Sequence, residues 1–159
     1  MKEIDKKKID IYLSVAQYNP QFCFLKELQI DYPKIYGVFR TPPTFYTRKA
    51  LDHLTEAEIQ ICLNQLAYVG IIGAAKMGQI PSLFHTGLKR IPYGDTVIAE
   101  SKKRFRDRID PSKDIYGLLR VKRIFTLENS IIALTDFDFE DGKCTGELNV
   151  SLVKREQKK

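Results

Sequence analysis

The feature that most constrains this chain is a long apolar segment that begins at a helix-start signal. Thr55 and Glu58 have the spacing of a capping box, in which each side chain binds a free backbone N–H of the first helical turn. The run that follows, positions 61–72, reads ICLNQLAYVGII and places apolar residues at every angle around a helix axis. A helix that is apolar all round is buried on all sides. The sequence therefore predicts a helix over about 55–72 that lies inside the fold.

Strand-like segments lie on both sides of this helix. Two precede it and four follow it, at about 22–30, 35–39, 96–109, 115–125, 131–139 and 144–153. Turn residues separate the last four segments. A helix that needs cover on all sides, followed by consecutive strands, predicts an α+β hot-dog fold, in which an antiparallel sheet wraps around one long central helix. The alternative is an α+β sandwich with its helix packed on one face, which would leave part of that helix uncovered.

The rest of the chain is assigned to the same domain, because 159 residues suit a single core. We interpret residues 1–159 as one hot-dog domain with an N-terminal helical extension over 1–17 and a disordered basic tail over 154–159. Residues 73–94, which are rich in Gly and Pro, predict an irregular flap or entrance loop. The predicted apolar face of the N-terminal extension comprises Ile4, Ile11, Tyr12 and Val15.

Composition and missing motifs exclude several classes of protein. The sequence is 43% hydrophobic and 29% charged, as is typical of a globular protein. No segment predicts a membrane span or a signal peptide, so we expect a cytoplasmic protein with no membrane partner. The three Cys and two His lack the spacing of a disulfide framework or a zinc site. The chain also lacks a Gly-rich phosphate loop and a G-x-S-x-G elbow, so we expect neither a metal nor a cofactor.

Positive charge is concentrated between positions 102 and 123. This segment holds nine Lys or Arg and three Asp, a local net charge of +6. Such a surface suits nucleic acid, the phosphates of coenzyme A or an acidic acyl carrier protein, and the alternative is a solvated strand face. Nucleic acid is disfavoured because the chain has no RNP-like aromatic motif. Alternation along a strand predicts that Arg104 and Arg106 share one face and that Phe105 packs in the core.

Two amide side chains interrupt the apolar helix. A buried amide without a partner costs about 1–3 kcal/mol, so Asn64 and Gln65 must each be hydrogen-bonded. We interpret Gln65 as structural, bound to the sheet or across a dimer interface. For Asn64 a structural role of the same kind and a functional role both stay open at this point.

Three segments resemble the FcoT-type long-chain acyl-CoA thioesterases. Positions 53–68, HLTEAEIQICLNQLAY, resemble the central helix of that family and the histidine before it. Positions 103–111, KRFRDRIDP, are similar to a strand of that family and, more loosely, of the β-hydroxyacyl carrier-protein dehydratases. Positions 142–153 resemble its closing hairpin. The resemblance implies a hot-dog enzyme that hydrolyses an acyl thioester and forms a homodimer or higher homo-oligomer with pockets at the subunit boundary.

The resemblance also implies which residues form the site. Asn64 occupies the place where other catalytic hot-dog enzymes carry Asp or Glu, so hydrolysis is expected without a carboxylate nucleophile. Tyr18 and Tyr46 resemble the site tyrosines of the family. A phenol with a pKa near 10 is a poor base at neutral pH, so we expect both to donate hydrogen bonds to the thioester. The predicted substrate-binding residues are His53, Phe45, Arg48, Arg104 and Arg106.

Three functions fit these residues. The first is hydrolysis of a long-chain fatty acyl thioester of coenzyme A or an acyl carrier protein, with Arg104 and Arg106 near the phosphates. The second is aza-Michael addition of an amino acid such as glycine to an enoyl thioester in lipopeptide or polyketide biosynthesis, with Arg48 or Lys49 binding the carboxylate. The third is a non-catalytic acyl-binding module. A dehydratase is disfavoured because the helix lacks the usual Glu or Asp.

Overall fold

A computed structural model describes residues 1–44, 46–80, 96–127 and 130–153. The described residues form two α-helices, α1 (Lys6–Val15) and α2 (Glu56–Lys76), and a short 3-10 helix. The strands are β1 (Lys2–Ile4), β2 (Leu25–Asp31), β3 (Lys34–Phe39), β4 (Thr96–Phe105), β5 (Ile115–Thr126), β6 (Ser130–Phe139) and β7 (Cys144–Val153).

The strands form a single antiparallel sheet in the order β1-β2-β3-β5-β6-β7-β4. The consecutive strands β5, β6 and β7 are neighbours, whereas β4 crosses over to pair with β7 at the edge of the sheet. The long helix α2 packs against the inner face of this sheet. The architecture is the predicted hot-dog fold, a sheet around one central helix.

Helix α2 begins and is buried as its sequence predicts. The Thr55 hydroxyl accepts a hydrogen bond from the Ala57 N–H at 3.2 Å, and the Glu58 carboxylate accepts one from the Thr55 N–H at 2.9 Å. Every residue from Cys62 to Ala75 except Asn64 is buried. Among the described residues, α2 is the one helix with the length and apolar composition to cross a membrane, but 78% of that window is buried in the fold. These properties are those of a core helix.

Two glycines allow α2 to approach the sheet closely on the side of β2 and β3. A Cβ atom at Gly70 would lie 2.5 Å from Cγ2 of Ile35, and one at Gly73 would lie 2.9 Å from Cδ1 of Ile30. Any side chain at these positions would therefore push the helix away from the sheet or displace the two isoleucines. The backbone of α2 therefore lies in close contact with Ile35 of β3 and Ile30 of β2.

The N-terminal segment differs from its prediction. Lys2–Ile4 form β1, which pairs with β2, so Ile4 belongs to a strand and not to the helix. Among the described side chains of α1, Ile9, Tyr12 and Leu13 are buried, whereas Ile11 is 49% exposed. The predicted face is confirmed at Tyr12 and wrong at Ile4 and Ile11, because it counted from Ile4 as though the helix had already begun there. The Val15 side chain lies outside the described part of the structure.

Three element boundaries also differ. Helix α2 continues to Lys76, past the predicted end at 72, so the first residues of the predicted flap are helical. Positions 81–94 of that flap and the predicted tail over 154–159 lie outside the described residues. The strand predicted from position 22 begins at Leu25, because Pro20–Phe22 form the 3-10 helix. The strand predicted over 96–109 ends at Phe105.

The predicted core position of Phe105 is wrong, since this side chain is 43% exposed. Ser101 and Lys103 point to the same side of β4 as Phe105, and both contact α2, through Gln60 and Glu56. Glu56, the contact of Lys103, is the first residue of α2. Phe105 lies two residues beyond Lys103 on the edge strand, past the start of the helix, so no helical turn covers it. Arg104 and Arg106 are exposed, as expected.

Candidate active site

A cavity of about 140 Å³ lies between α2, the edge strand β4, β7 and the segment that follows α1. An amide and two phenols contribute polar groups to this cavity, and the other described residues of its lining are apolar. Such a lining suits a polar group that is joined to an apolar chain. The lining residues are Ala16, Tyr18, Asn64, Ala67, Tyr68, Ile98 and Val150.

Asn64 faces this cavity because α2 is incompletely covered along one stripe. Ala57 is exposed, and Gln60, Ile61 and Asn64 are half-buried. The spacing of these positions, i, i+3, i+4 and i+7, places them on one side of the helix. The predicted burial of positions 61–72 is therefore confirmed except at Ile61 and Asn64, which are half-buried. The candidate amide lies on the side that remains accessible.

Tyr18 and Asn64 lie together at the cavity. Burial raises the pKa of the Tyr18 phenol above its ordinary value, and a hydrogen bond with the Asn64 side chain acts in the opposite direction. A hydrogen bond lowers the pKa of a phenol when it is donated to the phenol oxygen, because it stabilises the phenolate. Tyr18 thus stays protonated at neutral pH and has a hydrogen to donate.

Two further polar side chains, which the sequence interpretation missed, connect Asn64 to β4. The Gln60 Nε2 group donates to Asn64 Oδ1 at 2.5 Å, and the Ser101 hydroxyl donates to Gln60 Oε1 at 3.2 Å. The i,i+4 spacing of Gln60 and Asn64 is a signal that the sequence does contain, since such amides are neighbours on a helix surface. The contact with Ser101 depends on the crossover of β4 and has no local signal.

Gln65 has a different environment from the neighbouring Asn64. Its Oε1 atom accepts from the backbone N–H groups of Phe24 at 3.0 Å and Leu25 at 2.9 Å, and its Nε2 group donates to the carbonyl of Phe22. The side chain is fully buried. The structural interpretation of Gln65 is confirmed, with the backbone at the start of β2 as its partner.

Tyr46 lies at the N-terminal end of α2. Its hydroxyl donates to the Glu58 carboxylate, 2.8 Å from each oxygen, and also contacts the Thr55 hydroxyl. Burial alone would raise the pKa of Glu58, but the hydrogen bonds from Thr55 and Tyr46 outweigh it and lower that pKa. Glu58 precedes Asn64 by six residues, about 9 Å along the helix axis. The structure therefore brings Tyr18 to Asn64 and leaves Tyr46, which is 49% exposed, at the helix start.

The other predicted site residues that the structure describes lie at or near the surface. His53 Nδ1 is 2.7 Å from the carboxylate of Asp52, which also pairs with Arg108 at 3.2 Å. His53 is not among the described residues that line the cavity. Arg48 is exposed, as are Arg104 and Arg106, and Phe45 lies outside the described residues. Within the described part of the chain, no three His, Cys, Asp or Glu side chains are grouped to hold a metal ion.

Solved structures confirm the fold. Thioesterase superfamily member 2 from Mus musculus matches with a TM-score of 0.56 and 8% identity, over 96% of this chain and 98% of its own. A mutant thioesterase from Pseudomonas aeruginosa matches with a TM-score of 0.53 and 11% identity, over 94% of each chain. An inactive mutant of the CurJ dehydratase has a TM-score of 0.57 and 11% identity, over 95% of this chain and 48% of its own. These identities are low and show the hot-dog fold alone.

The sequence itself defines the class. A family model described as the FcoT-like thioesterase domain matches residues 11–152, nearly the whole described fold. No curated protein sequence matches. The protein is thus a hot-dog enzyme of the acyl thioesterase class. The chain belongs to the FcoT-like thioesterase family.

Proposed function

We propose that the protein hydrolyses a long-chain fatty acyl thioester, carried by coenzyme A or an acyl carrier protein, at the cavity beside Asn64. The observation that carries the proposal is that Asn64 and Tyr18 meet at a cavity whose other walls include Ala67, Ile98 and Val150. The apolar walls suit the acyl chain, and the amide and phenol suit the thioester group at its end.

The proposed mechanism uses hydrogen-bond donors and no covalent intermediate. The Asn64 amide and the Tyr18 hydroxyl donate to the thioester carbonyl oxygen, and each such donor is typically worth about 3–4 kcal/mol as negative charge develops there. Water adds to the carbonyl carbon, the C–S bond breaks, and the thiol leaves with a proton that the water has lost. No Asp or Glu is among the described residues that line the cavity, which supports a route without a carboxylate nucleophile.

The basic end of β4 supports the proposed carrier. Ile98 of this strand lines the cavity, and Arg104 and Arg106 are exposed six and eight residues further along the chain. Six residues of extended chain span about 20 Å. We propose that the phosphates of coenzyme A, or the acidic surface of a carrier protein, bind these arginines while the pantetheine arm bridges the distance to Asn64.

We also propose that the protein assembles into at least a dimer through β4. This strand lies at the edge of the sheet and is ten residues long, and an exposed Phe105 ends it. Long edge strands present free backbone hydrogen-bonding groups that favour pairing with another chain. Light scattering of the purified protein tests the assembly: a mass above that of one chain supports it, and a monomeric mass at micromolar concentration rejects it.

Product analysis tests the chemistry. The protein is incubated with saturated and 2-enoyl thioesters of several chain lengths, on coenzyme A and on a carrier protein, with and without glycine, and the products are weighed by mass spectrometry. Free fatty acid and free thiol are the expected products. A glycine adduct would support amine addition, with Arg48 as the carboxylate anchor. Tight binding without any product would support an acyl-binding module and reject hydrolysis.

A further inference from the structure

We infer that Gln60, itself held by Ser101, is a positioning residue that fixes the orientation of the Asn64 amide in the thioester site. The inference rests on the proposed function for its chemical consequence. Its structural basis is independent, since it depends on two hydrogen bonds, Gln60 Nε2 to Asn64 Oδ1 at 2.5 Å and Ser101 Oγ to Gln60 Oε1 at 3.2 Å.

An amide side chain has a donor end and an acceptor end, and a half-turn exchanges them. The Gln60 Nε2 group can donate hydrogen bonds but cannot accept them. It therefore binds Asn64 at the acceptor atom, Oδ1. The Nδ2 group of Asn64 is consequently turned the other way, toward Tyr18 and the cavity. The reversed orientation would place two N–H donors against each other.

Ser101 stabilises the orientation of Gln60 in the same way. If the Gln60 amide turned over, its Oε1 atom would face Asn64 Oδ1, an acceptor against an acceptor. The Ser101 hydroxyl donates to Oε1 and so favours the observed orientation. Its position is set by the backbone, because Ser101 pairs with Leu148 in the β4–β7 ladder. A hydroxyl can also accept, so Ser101 constrains Gln60 less strictly than Gln60 constrains Asn64.

The orientation decides what Asn64 does to a substrate. With Nδ2 toward the cavity, Asn64 presents a donor, which polarises the thioester carbonyl, and not an acceptor, which would orient the attacking water. The direction of donation runs from Ser101 through Gln60 to Asn64, and successive hydrogen bonds of this kind strengthen one another. A hydrogen bond with the Asn64 side chain opposes the effect of burial on the pKa of Tyr18, so the two groups lie close together.

The competing explanation is that Gln60 and Asn64 form an ordinary i,i+4 pair that stabilises the helix surface by about 0.2–0.5 kcal/mol. Two substitutions separate the explanations. Gln60→Met keeps the length of the side chain and removes both polar ends. Gln60→Glu keeps the shape of the side chain, but whether it can donate depends on its protonation state. The carboxylic acid donates to Asn64 Oδ1. The carboxylate can only accept, so the Asn64 amide would turn over to donate to it.

The activity measurement is the pH dependence of kcat and KM between pH 5 and 9 for the whole protein. Gln60→Glu should lose about 100-fold in kcat at pH 8, the scale of one lost transition-state donor, and recover most of it at pH 5. Gln60→Met should lose roughly two- to tenfold at every pH, because its Asn64 amide samples both orientations. KM should stay within about twofold in both. Ser101→Ala should follow Gln60→Met with a smaller loss.

The second measurement needs no turnover. The 13Cζ chemical shift of Tyr18, assigned with Tyr18→Phe, reports whether its hydroxyl accepts from Asn64 or donates to it. This shift should move in Gln60→Glu at pH 8 and return toward the wild-type value at pH 5. Ala57→Glu is the matched control, since it places a carboxylate on the same stripe of α2, about two turns away from the Asn64 amide, and should change neither the shift nor kcat.

Each outcome is decisive for one of the two proposals. Suppose that the wild type hydrolyses thioesters and that the ratio of Gln60→Glu activity to Gln60→Met activity does not vary with pH. This result overturns the role of Gln60 and leaves the proposed function standing. Absence of turnover in the wild type rejects the proposed function, and the Tyr18 shift then decides on Gln60 alone. An unchanged Tyr18 shift in Gln60→Glu at pH 8 overturns the inference in either case.

Discussion

The two sides of α2 place the same functional group in opposite situations. Gln65 uses both ends of its amide on the backbone at the start of β2 and is fully buried. Asn64, its neighbour in sequence, is half-buried and faces a cavity, with Gln60 bound to its carbonyl end. One amide has its hydrogen-bond partners within the fold, and the other lies at the wall of a cavity that a ligand can enter. Burial and hydrogen-bond partners together separate the structural amide from the candidate functional one.

The largest effect expected from this comparison is on stability, at Gln65. Gln65→Leu removes the partner of two buried N–H groups and one carbonyl, and each buried polar group left unpaired costs about 1–3 kcal/mol. We expect the free energy of unfolding to fall by about 3–5 kcal/mol, as measured by urea denaturation. A loss below about 1 kcal/mol would mean that the backbone finds other partners, and the structural side of the comparison would then be wrong.

The complementary effect is on turnover, at Asn64. Asn64→Ala should lower kcat about 100- to 1000-fold, as the loss of one oxyanion donor does, while the urea midpoint stays close to that of the wild type. Steady-state hydrolysis of a long-chain acyl thioester measures this loss. Asn149→Ala is the matched control, because Asn149 is a half-buried asparagine on β7 that binds Glu100 away from the cavity. Near-normal turnover of Asn64→Ala would reject the assignment of the cavity side as catalytic.

The sequence predicted the fold more fully than the contacts around the candidate site, and the reason is physical. Capping and all-round apolarity are local properties, so they located α2 before any contact was known. The resemblance led to Tyr18 and Asn64, which the structure brings together. Partners set by non-local contacts were beyond the reach of sequence patterns. Tyr46 binds Glu58 at the helix start, and Ser101 reaches α2 through a crossover that alternation along one strand does not encode.

A third, smaller effect is expected at the N-terminal end of α2, which resembles the Gln65 side. Glu58 is 5% exposed, and the donors Thr55 and Tyr46 lower its pKa in the folded protein. A lowered folded-state pKa contributes stability that is present above the unfolded value, near 4.5, and is lost as the pH falls through the folded value. Stability of the wild type should therefore decline below about pH 4.5.

Removal of the Tyr46 hydroxyl tests this interpretation. Tyr46→Phe should lower the free energy of unfolding at pH 7 by about 1–2 kcal/mol and make the acid decline shallower, because Glu58 loses a donor. Thermal melts between pH 3 and 7 measure both. Tyr46→Phe should also reduce turnover less than Tyr18→Phe. A larger loss of turnover in Tyr46→Phe than in Tyr18→Phe would instead assign Tyr46 a catalytic role.

The smallest expected effect is on KM, and it tests whether the proposed substrate-binding surface extends along β4 to Arg104 and Arg106. Charge reversal at Arg104 and Arg106 should raise KM by about fivefold per charge and leave kcat nearly unchanged, since exposed ion pairs are worth up to about 1 kcal/mol. The increase should shrink at high salt. Lys34→Glu, at the exposed first residue of β3, is the control for net charge. An unchanged KM would leave these arginines as a solvated strand face.

The close contact of α2 with β2 and β3 has a consequence for the size of the substrate. Gly70 and Gly73 lie against Ile35 and Ile30, whereas the cavity opens toward β4 and β7 on the other side of the helix. The helix thus lies close to the sheet on one side and borders the cavity on the other. If the cavity takes an acyl chain as proposed, a methyl group at Gly70 that pushed the helix away from Ile35 would narrow the cavity and shorten the chains that fit, without changing any residue that lines it.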